Sequence, residues 1–363
     1  MNNFAFILHP IDPKRDVARK FPLFGKYLTT EQIDYFSAFF PPVYLSEIHG
    51  IRSTATGEEI MGWFVACPYT PARMVELPVE TVYRKIIQTG KLAERLGARL
   101  LGLGAFTSVV GDAGITIARG LDIPVTTGDS YTVAIAVESI REAARVMGIE
   151  MKSAVAAVVG ATGTIGQVCA ELLAREVPRL LLVGRRPEAL VQLRERCQGS
   201  GGAEVQIATD FGRLAEADLI LSVSSAMETL IEPEHLKPGA VVCDVARPRD
   251  VSARVAAARD DVLVIDGGMV EAPAAAGGAQ FNFDFGFPPG MVYACMAETM
   301  ALALEGRYES YSLGKRITPS QVETMAAIAA RHGFRLAGFR SFEKAVTDEQ
   351  IARVREKARR ASG

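Results

Sequence analysis

A strand that runs directly into a glycine-rich turn constrains the fold of this 363-residue chain more than any other feature. Residues 154–159 read AVAAVV, a continuous apolar run typical of a strand buried on both faces of a sheet. The turn has G-x-x-G-x-x-G spacing, and a helical pattern extends from it to Arg175. Glycine lets the backbone approach a pyrophosphate, and a helix N-terminus offers free N–H groups and a positive dipole. We therefore predict a dinucleotide site, with a flexible surface turn as the alternative, formed by Gly160, Thr162, Gly163, Thr164, Ile165 and Gly166.

Further strands follow at the spacing of a parallel sheet. Strand candidates, separated by helical segments, occur at residues 180–183, 204–207, 218–223, 240–245 and 262–265. This alternation predicts βαβ units, and their right-handed crossovers make a doubly wound sheet. The predicted fold class is therefore α/β: a Rossmann doubly wound parallel sheet with an N-terminal α/β substrate domain and C-terminal helices.

The end of the second predicted strand distinguishes between the two nicotinamide cofactors. NAD sites carry Asp or Glu there to bind the ribose hydroxyls, whereas this strand is followed by Arg185 and Arg186. Guanidinium groups bind a 2′-phosphate through paired, charge-assisted hydrogen bonds. We therefore predict NADP(H), and the alternative for Arg186 is that it only solvates the sheet edge. Ser222, at the end of the fourth predicted strand, is expected to border the nicotinamide ribose.

Strand and helix patterns alternate in the first 130 residues, which predicts a separate small α/β domain. A strand is expected at 60–65, an amphipathic helix at 79–96, and strand-to-turn junctions near 104 and 127. Beyond Gly268 the pattern is irregular until helices predicted at 291–305, 319–331 and 347–360. The predicted domains are a substrate domain (1–130), an NADP-binding Rossmann domain (131–290) that begins with a connecting helix at 131–147, and a C-terminal helical segment (291–363).

Composition excludes several other classes of protein. Forty Lys and Arg residues against 42 Asp and Glu residues leave a net charge of −2, which argues against a nucleic-acid binder. No run of about 18 apolar residues occurs, so no transmembrane helix is predicted, and the N-terminus lacks a signal-peptide pattern. The five cysteines are scattered without a C-x-x-C pair, which argues against a disulfide framework or a zinc site. We expect a cytoplasmic protein.

One of the five thiols lies where chemistry is expected. Cys295 is in the first two turns of the helix predicted at 291–305, which follows a loop rich in glycine and proline. The helix dipole would favour its thiolate, and the alternative is that Cys295 only packs inside the protein. Cys169 and Cys243 are predicted to be buried packing residues, and Cys197 lies near a polar turn.

Six short segments, one of which contains Cys295, occur in a characteristic order along the chain. They are GLGAFTSV at 102–109, TTGDSYT at 126–132, GATG at 160–163, GGMVE at 267–271, MVYACMAE at 291–298 and RHGF at 331–334. In sequence and in order, this series resembles the long-chain acyl-[acyl-carrier-protein] reductases known from cyanobacteria. The resemblance covers about residues 3–338. It departs from that family at the phenylalanine-rich segment 281–290 and in the charged tail, which indicates a non-cyanobacterial branch.

The resemblance implies NADPH-dependent reduction of a long-chain fatty acyl thioester to a fatty aldehyde. Cys295 corresponds to the cysteine that takes the acyl group as a thioester, and Gly268 lies in a matched segment assigned to the cofactor. The implied partners are an acyl carrier protein or acyl-CoA as the donor, and an aldehyde-consuming enzyme. Mg²⁺ is considered as a stimulating ion, and no metal ligands are predicted. Acyl chain length, oligomeric state and the choice of carrier stay open.

Other side chains in the matched segments have two interpretations each. Ser108, Thr127 and Asp129 either orient the substrate carbonyl or cap local structure, and Phe106 is a further candidate for contact with the substrate. Glu298 either transfers a proton or bonds the nearby backbone. Cys67 is expected to be structural, and His332 to cap a helix. The four phenylalanines of the departing segment either reshape the acyl pocket or fill a core, and these are Phe281, Phe283, Phe285 and Phe287.

Two other functions are considered. A shikimate-dehydrogenase-like NADP-dependent oxidoreductase would share the two-domain layout and Arg185, but it needs a Lys–Asp pair, and no lysine lies at a suitable strand end in the N-terminal part. A non-catalytic NADP-binding sensor would have an inert Cys295. Because a carrier protein is acidic, its reductase should carry a basic patch. The candidates, which alternatively form only a solvated face, are Lys14, Arg15, Arg19, Lys20 and Lys26.

Overall fold

The computed structural model describes residues 1–284 and 286–361, and the chain divides into two compact units. Unit 1 comprises Met1–Tyr131, Val270–Ile317 and Glu323–Arg335. Unit 2 comprises Thr132–Met269, Thr318–Val322 and Leu336–Gly363. The domain boundaries predicted from the sequence remain a prediction.

Residues 1–131 alternate strands with helices. The strands are β1 (Asn3–Leu8), β2 (Val43–Arg52), β3 (Glu59–Ala66), β4 (Leu101–Gly102) and β5 (Val125–Thr126). The helices are α1 (Pro13–Lys20), α2 (Pro22–Tyr27), α3 (Thr30–Ser37), α4 (Pro71–Glu76), α5 (Val79–Arg95), α6 (Phe106–Val109) and α7 (Ile115–Arg119). The predicted strand at 60–65 and helix at 79–96 are confirmed as β3 and α5, whereas α1 to α3 were not predicted.

The five strands form one sheet in the order β2-β3-β1-β4-β5. β2 pairs with β3 in antiparallel register, and the other neighbours are parallel. β1 is almost wholly apolar and buried, and α5 packs Val82 and Ile86 into the same core. Because β4 and β5 are parallel neighbours, the turns that follow them lie at the same sheet edge. The first of these turns leads into α6, which contains Phe106 and Ser108, and the second contains Thr127 and ends at Asp129.

The middle of the chain forms the Rossmann sheet. Its helices are α8 (Asp129–Met147), α9 (Thr164–Leu173), α10 (Pro187–Ser200) and α11 (Ala253–Ala258). Its strands are β6 (Val155–Val159), β7 (Arg179–Val183), β8 (Glu204–Ala208), β9 (Leu219–Ser222), β10 (Val241–Asp244) and β11 (Leu263–Asp266). All six are parallel, in the order β11-β10-β9-β6-β7-β8. The predicted fold class is therefore confirmed, because this is the doubly wound order with a switch point between β6 and β9.

The last part of the chain is less helical than predicted. It contains β12 (Met269–Glu271), β13 (Met291–Tyr293), α12 (Ala294–Glu305), α13 (Pro319–His332), β14 (Arg335–Leu336), β15 (Arg340–Ser341), β16 (Lys344–Ala345) and α14 (Asp348–Ala361). The helix predicted at 291–305 begins three residues late, since 291–293 join a small sheet of order β13-β12-β14. Cys295 is consequently the second residue of α12. No helix in the described part of the chain is long and apolar enough to cross a membrane.

Candidate active site

The glycine turn of unit 2 is built for close approach of the backbone. Gly160 has φ +76°, and its N–H donates to the Val183 carbonyl at 3.0 Å. A side chain at Gly166 would lie 2.4 Å from the Gly160 carbonyl oxygen, so only glycine fits there. Gly163 precedes the first residue of α9. The first N–H groups of α9, from Thr164, Ile165 and Gly166, have no acceptor within the helix and suit a pyrophosphate.

The two predicted arginines follow β7 beside this turn. Arg186 donates to the carbonyl and the hydroxyl of Thr162 at 3.2 and 3.1 Å. It therefore contacts the glycine turn directly. Arg185 is exposed. A guanidinium on the turn and a second one next to it fit the 2′-phosphate of NADP(H).

The other two predicted cofactor residues belong to the same unit, and Ser222 pairs with Val159, the residue before the glycine turn. Ser222 is fully buried at the end of β9, and its hydroxyl donates to Asp250 at 2.6 Å. Asp250 also accepts from the Ser224 N–H at 3.0 Å and from the Ser224 hydroxyl. The carboxylate of Asp250 thus fixes the loop after β9, a role that sequence reasoning missed because the two segments are 26 residues or more apart. Gly268 has φ +77° in the turn between β11 and β12.

In unit 1, backbone from two turns surrounds Cys295. A side chain at Gly104 would lie 3.5 Å from the Cys295 sulfur. A side chain at Gly128, which has φ +78°, would lie only 2.3 Å from the Cα and Cβ atoms of Cys295. The turns after β4 and β5 therefore pack against the start of α12, and the closer approach, by the turn after β5, requires glycine at position 128. The structure brings these two predicted turns and the predicted thiol together.

Burial and carboxyl groups control the protonation of this thiol. Burial, followed by the charge of Asp129, raises the pKa of Cys295 to about 12, although the Met296 N–H at the helix start acts in the opposite direction. Burial, followed by the charge of Glu298, raises the pKa of Asp129 to about 8. The expected stabilisation of the thiolate by the helix dipole is therefore outweighed. At neutral pH the free thiol keeps its proton and needs a base before it can react.

Glu298 is a bonded, buried carboxyl group. It accepts from the Thr126 hydroxyl and from the Tyr131 N–H, the latter at 2.8 Å, and burial raises its pKa. Of its two predicted interpretations, the structure shows the bond to the nearby backbone. Glu298 thereby holds the turn with Thr127 and Asp129 against α12.

The hydroxyls of two other predicted residues donate to backbone carbonyls, one within its own turn and one in a distant segment of unit 1. The Ser108 hydroxyl donates to the Ala105 carbonyl at 2.7 Å, and the Thr127 hydroxyl donates to the Ser312 carbonyl at 2.6 Å. The roles predicted for Ser108 and Thr127 remain predictions. Phe106 is buried, and its ring meets the ring of His9 edge-on at 6.2 Å.

An apolar cavity of about 170 Å³ opens inside unit 1. Helices α1 to α3, strand β2 and the ends of β1 and β3 enclose it. Tyr293 and Met296, on either side of Cys295 in sequence, also line it, as do Cys67 and Phe283. Apolar walls of this kind suit a hydrocarbon chain.

His9 lines the same cavity and was missed by the sequence analysis. Its Nε2 accepts from the Phe106 N–H at 3.1 Å, so the neutral ring carries its proton on Nδ1. Nδ1 is buried without a hydrogen-bond partner among the described residues. Burial lowers the pKa of His9 to about 4, and a contact with the Pro10 backbone offsets part of this effect. A lone histidine next to Pro10 in a strand end gave no signal, because its partner Phe106 is 97 residues away.

The remaining candidates from the sequence, four cysteines and His332, are buried or bonded to neighbouring elements. Cys67, Cys169, Cys197 and Cys243 are buried, and burial raises the pKa of Cys67 to about 11. His332 bonds the Ser53 hydroxyl at 2.8 Å and Glu305 at 2.7 Å, which ties its helix to the loop after β2.

Among the departing phenylalanines, Phe281 is buried 6.0 Å from the ring of Phe64, and Phe287 meets Tyr293 edge-on at 4.7 Å. Phe285 lies outside the described residues. In the part of the chain that the structure describes, no group of three His, Cys, Asp or Glu residues could hold a metal ion.

The comparisons with known proteins divide along the chain. The Shikimate / quinate 5-dehydrogenase family matches residues 141–266, within unit 2. A long-chain acyl-[acyl-carrier-protein] reductase from Synechococcus elongatus is 29% identical over 352 residues, which are 91% of this chain and 98% of that protein.

Two further relatives match in part. The aminotransferase PigE from a Serratia species is 31% identical over 266 residues, which are 71% of this chain and 30% of that protein. An NADP(+) shikimate dehydrogenase from Rubrobacter xylanophilus is 38% identical over 127 residues, which are 32% of this chain and 44% of that protein. The chain thus spans less than half of either protein. Together with the Rossmann sheet and its glycine turn, the matches support an NAD(P)-dependent oxidoreductase.

Proposed function

We propose that this protein reduces a long-chain fatty acyl thioester to a fatty aldehyde with NADPH, through an acyl group carried on Cys295. The observation that carries the proposal is the apolar cavity of unit 1, which reaches Tyr293, two residues before Cys295, and Met296, the residue after it. A hydrocarbon chain in this cavity would present its thioester carbonyl near the thiol. The match to a long-chain acyl-[acyl-carrier-protein] reductase over 98% of that protein's length agrees with this chemistry.

The first step is transfer of the acyl group. The sulfur of Cys295 attacks the thioester carbonyl, a new carbon–sulfur bond forms, and the bond to the carrier sulfur breaks. The thiol proton has to leave the cysteine and reach the departing carrier thiolate. Asp129 can relay it, because its pKa of about 8 lets the carboxyl group both accept and return a proton near neutral pH.

The second step releases the aldehyde. When bound, NADPH supplies the hydride that reduces the thioester carbonyl. Negative charge then develops on that oxygen, and a fixed donor in a buried site stabilises it. The Nδ1–H of His9, buried in the cavity wall without a partner, is the proposed donor. Breakage of the carbon–sulfur bond frees the aldehyde, and the cysteine takes up a proton. The apolar walls exclude water that would hydrolyse the acyl group.

Substitution of His9 by Gln or by Asn tests its proposed role as a hydrogen-bond donor. His9→Gln retains an acceptor near the Nε2 position for the Phe106 N–H but removes the Nδ1 donor, so we expect kcat to fall about 100-fold with little loss of stability. His9→Asn retains a donor near the Nδ1 position but loses the acceptor, so we expect a lower Tm and a smaller loss of kcat. Steady-state kinetics and thermal unfolding of both variants are the measurements. Equal losses of kcat in the two variants would assign His9 a structural role only.

The cofactor preference depends on Arg185. We expect Arg185→Ser to weaken NADPH binding about 10- to 100-fold, since a charge-assisted pair with the 2′-phosphate is lost. NADH lacks that phosphate, so its affinity serves as the internal control and should change little. Titration of both cofactors by fluorescence or calorimetry checks this. An equal loss of affinity for both cofactors would contradict selective recognition of the phosphate by Arg185.

A shikimate- or quinate-type dehydrogenase is the second candidate, favoured by the family match to residues 141–266. That match lies in unit 2 and does not reach the proposed substrate residues of unit 1. Two lysines of α5 are engaged elsewhere, since Lys85 donates to the Phe40 carbonyl and Lys91 pairs with Asp122 and Glu94 at the surface. A purified enzyme offered palmitoyl-CoA, palmitoyl carrier protein, shikimate and quinate separates the two functions. Aldehyde detected by gas chromatography supports the proposal, whereas turnover of only the hydroxy acids overturns it.

The same assay addresses the choice of donor and the effect of Mg²⁺. Palmitoyl carrier protein and palmitoyl-CoA are compared at equal concentration, with and without added Mg²⁺. A non-catalytic sensor would bind NADPH and turn over none of the four substrates. Slow alkylation of Cys295 would not identify such a sensor, because a thiol with a pKa of about 12 reacts slowly at neutral pH in any case.

A further inference from the structure

Unit 1 exposes aromatic side chains in one short stretch. Nine of the thirteen exposed large apolar side chains in the described part of the chain lie within residues 21–44. Five of the nine point outward from α2, α3 and the segments next to them, and we call them the aromatic face: Leu23, Tyr27, Tyr35, Phe39 and Tyr44. A concentration of exposed apolar side chains of this size marks an interaction surface and is costly in water.

The other four exposed side chains of this stretch also form the cavity. Phe21, Phe24, Phe36 and Phe40 are each 39–42% exposed, and all four line the apolar cavity described above. The rings of Phe24 and Phe40 are 6.0 Å apart, and those of Phe21 and Phe24 are 5.6 Å apart. The same rings thus border both the outer surface and the cavity.

Basic side chains flank the aromatic face. Helices α1 and α2 carry five basic residues against one acidic residue, Asp16, which pairs with Arg19 at 3.0 Å. Helix α3 adds Glu31 and Asp34, and Asp34 pairs with Arg73. The ammonium groups of Lys20 and Lys26 lie 5.9 and 5.3 Å from the rings of Tyr44 and Tyr27. Tyrosine and phenylalanine next to lysine are suited to the boundary between lipid headgroups and acyl chains.

We infer that the aromatic face binds the surface of a lipid bilayer that contains anionic headgroups. Leu23, Tyr27 and Phe39 would enter the interfacial region, and the lysines of α1 and α2 would contact lipid phosphates. This attachment is peripheral. Because Phe21, Phe24, Phe36 and Phe40 border both the face and the cavity, an apolar chain could pass between bilayer and cavity without crossing water. That consequence, unlike the binding itself, rests on the proposed function.

Vesicle sedimentation tests the attachment without any substrate. The wild-type protein should sediment with phosphatidylcholine vesicles containing one third phosphatidylglycerol, and about tenfold less with phosphatidylcholine alone. The variant Leu23→Ser/Tyr27→Ser/Phe39→Ser should bind the anionic vesicles at least about tenfold more weakly than the wild type. These three side chains are 67–72% exposed and do not line the cavity, so the fold and the reductase activity on a water-soluble acyl-CoA should be unaffected.

Val75→Ser is the matched control. Val75 is also exposed, at 63%, but lies outside the aromatic face, so this variant should bind like the wild type. Failure of the wild type to bind anionic vesicles, or equal binding by the triple variant, would overturn the inference. A concentration-dependent dimer in sedimentation velocity that the triple variant abolishes, without vesicle binding, would instead assign the face to a second copy of the chain. A wild-type protein that binds anionic vesicles but forms no aldehyde from an acyl thioester would count against the proposed function alone.

Discussion

Cys295→Ser is expected to lower aldehyde formation from an acyl thioester at least about 1000-fold while NADPH binding is retained. A serine hydroxyl occupies nearly the same volume but does not exchange with a thioester, and the buried site supplies no base strong enough to ionise it. The loss should therefore appear in kcat and not in the affinity for the cofactor, whose proposed residues lie in unit 2.

Cys197→Ala is the control for this substitution. Cys197 is a buried thiol of α10 outside the proposed site, so its loss should reduce stability modestly and leave the reaction intact. Aldehyde production at saturating NADPH is the measurement for both variants. Substantial activity in Cys295→Ser would show that the acyl group is not carried on this sulfur.

Asp129→Asn is expected to make the folded protein more stable at alkaline pH by up to about 5 kcal/mol relative to the wild type. Burial, followed by the charge of Glu298, raises the pKa of Asp129 from 3.8 to about 8 in the folded protein. Folding consequently takes up a proton between pH 4 and pH 8, and the wild type loses stability as the pH rises through this window. Asparagine does not titrate, so the variant lacks this loss.

Urea unfolding of the two proteins at pH 5, 7 and 9 measures the difference. His9, whose pKa is lowered to about 4, has the opposite effect, because stability falls as the pH drops from about 6.5 toward 4. That contribution is the same in both proteins and cancels when their free energies of unfolding are subtracted. A difference that does not grow between pH 5 and pH 9 would contradict the buried, protonated state of Asp129.

The elements that could be predicted from the sequence are mostly those encoded by patterns of adjacent residues. The apolar run before Gly160 and the helical spacing after it are properties of adjacent residues, so β6 and α9 follow from the sequence. Helix α5 was predicted for the same reason, with Val82 and Ile86 on its buried face. The segment 291–293 was predicted as the start of a helix and instead forms a strand, because it contains Val292 and Tyr293, which favour strands, and pairs with β12.

Site residues could be predicted only where they lie in a recognisable sequence segment. Cys295 and Gly128 were found through the segments that contain them, but their close approach depends on the packing of α12 against the turn after β5. The raised pKa of the thiol depends on the same packing, since folding buries Cys295 and brings Asp129 next to it. His9 and the cavity depend on contacts between β1, α1 to α3 and residues near 293, which no local pattern encodes.

The acyl-enzyme itself is the most direct test of the proposed reaction. The protein is mixed with palmitoyl-CoA or with palmitoyl carrier protein in the absence of NADPH, and its intact mass is measured. We predict one added palmitoyl group, absent in Cys295→Ser, that disappears as aldehyde when NADPH is added. No adduct from either donor in a protein that still binds NADPH, or an unchanged adduct in Cys295→Ser, would contradict this prediction.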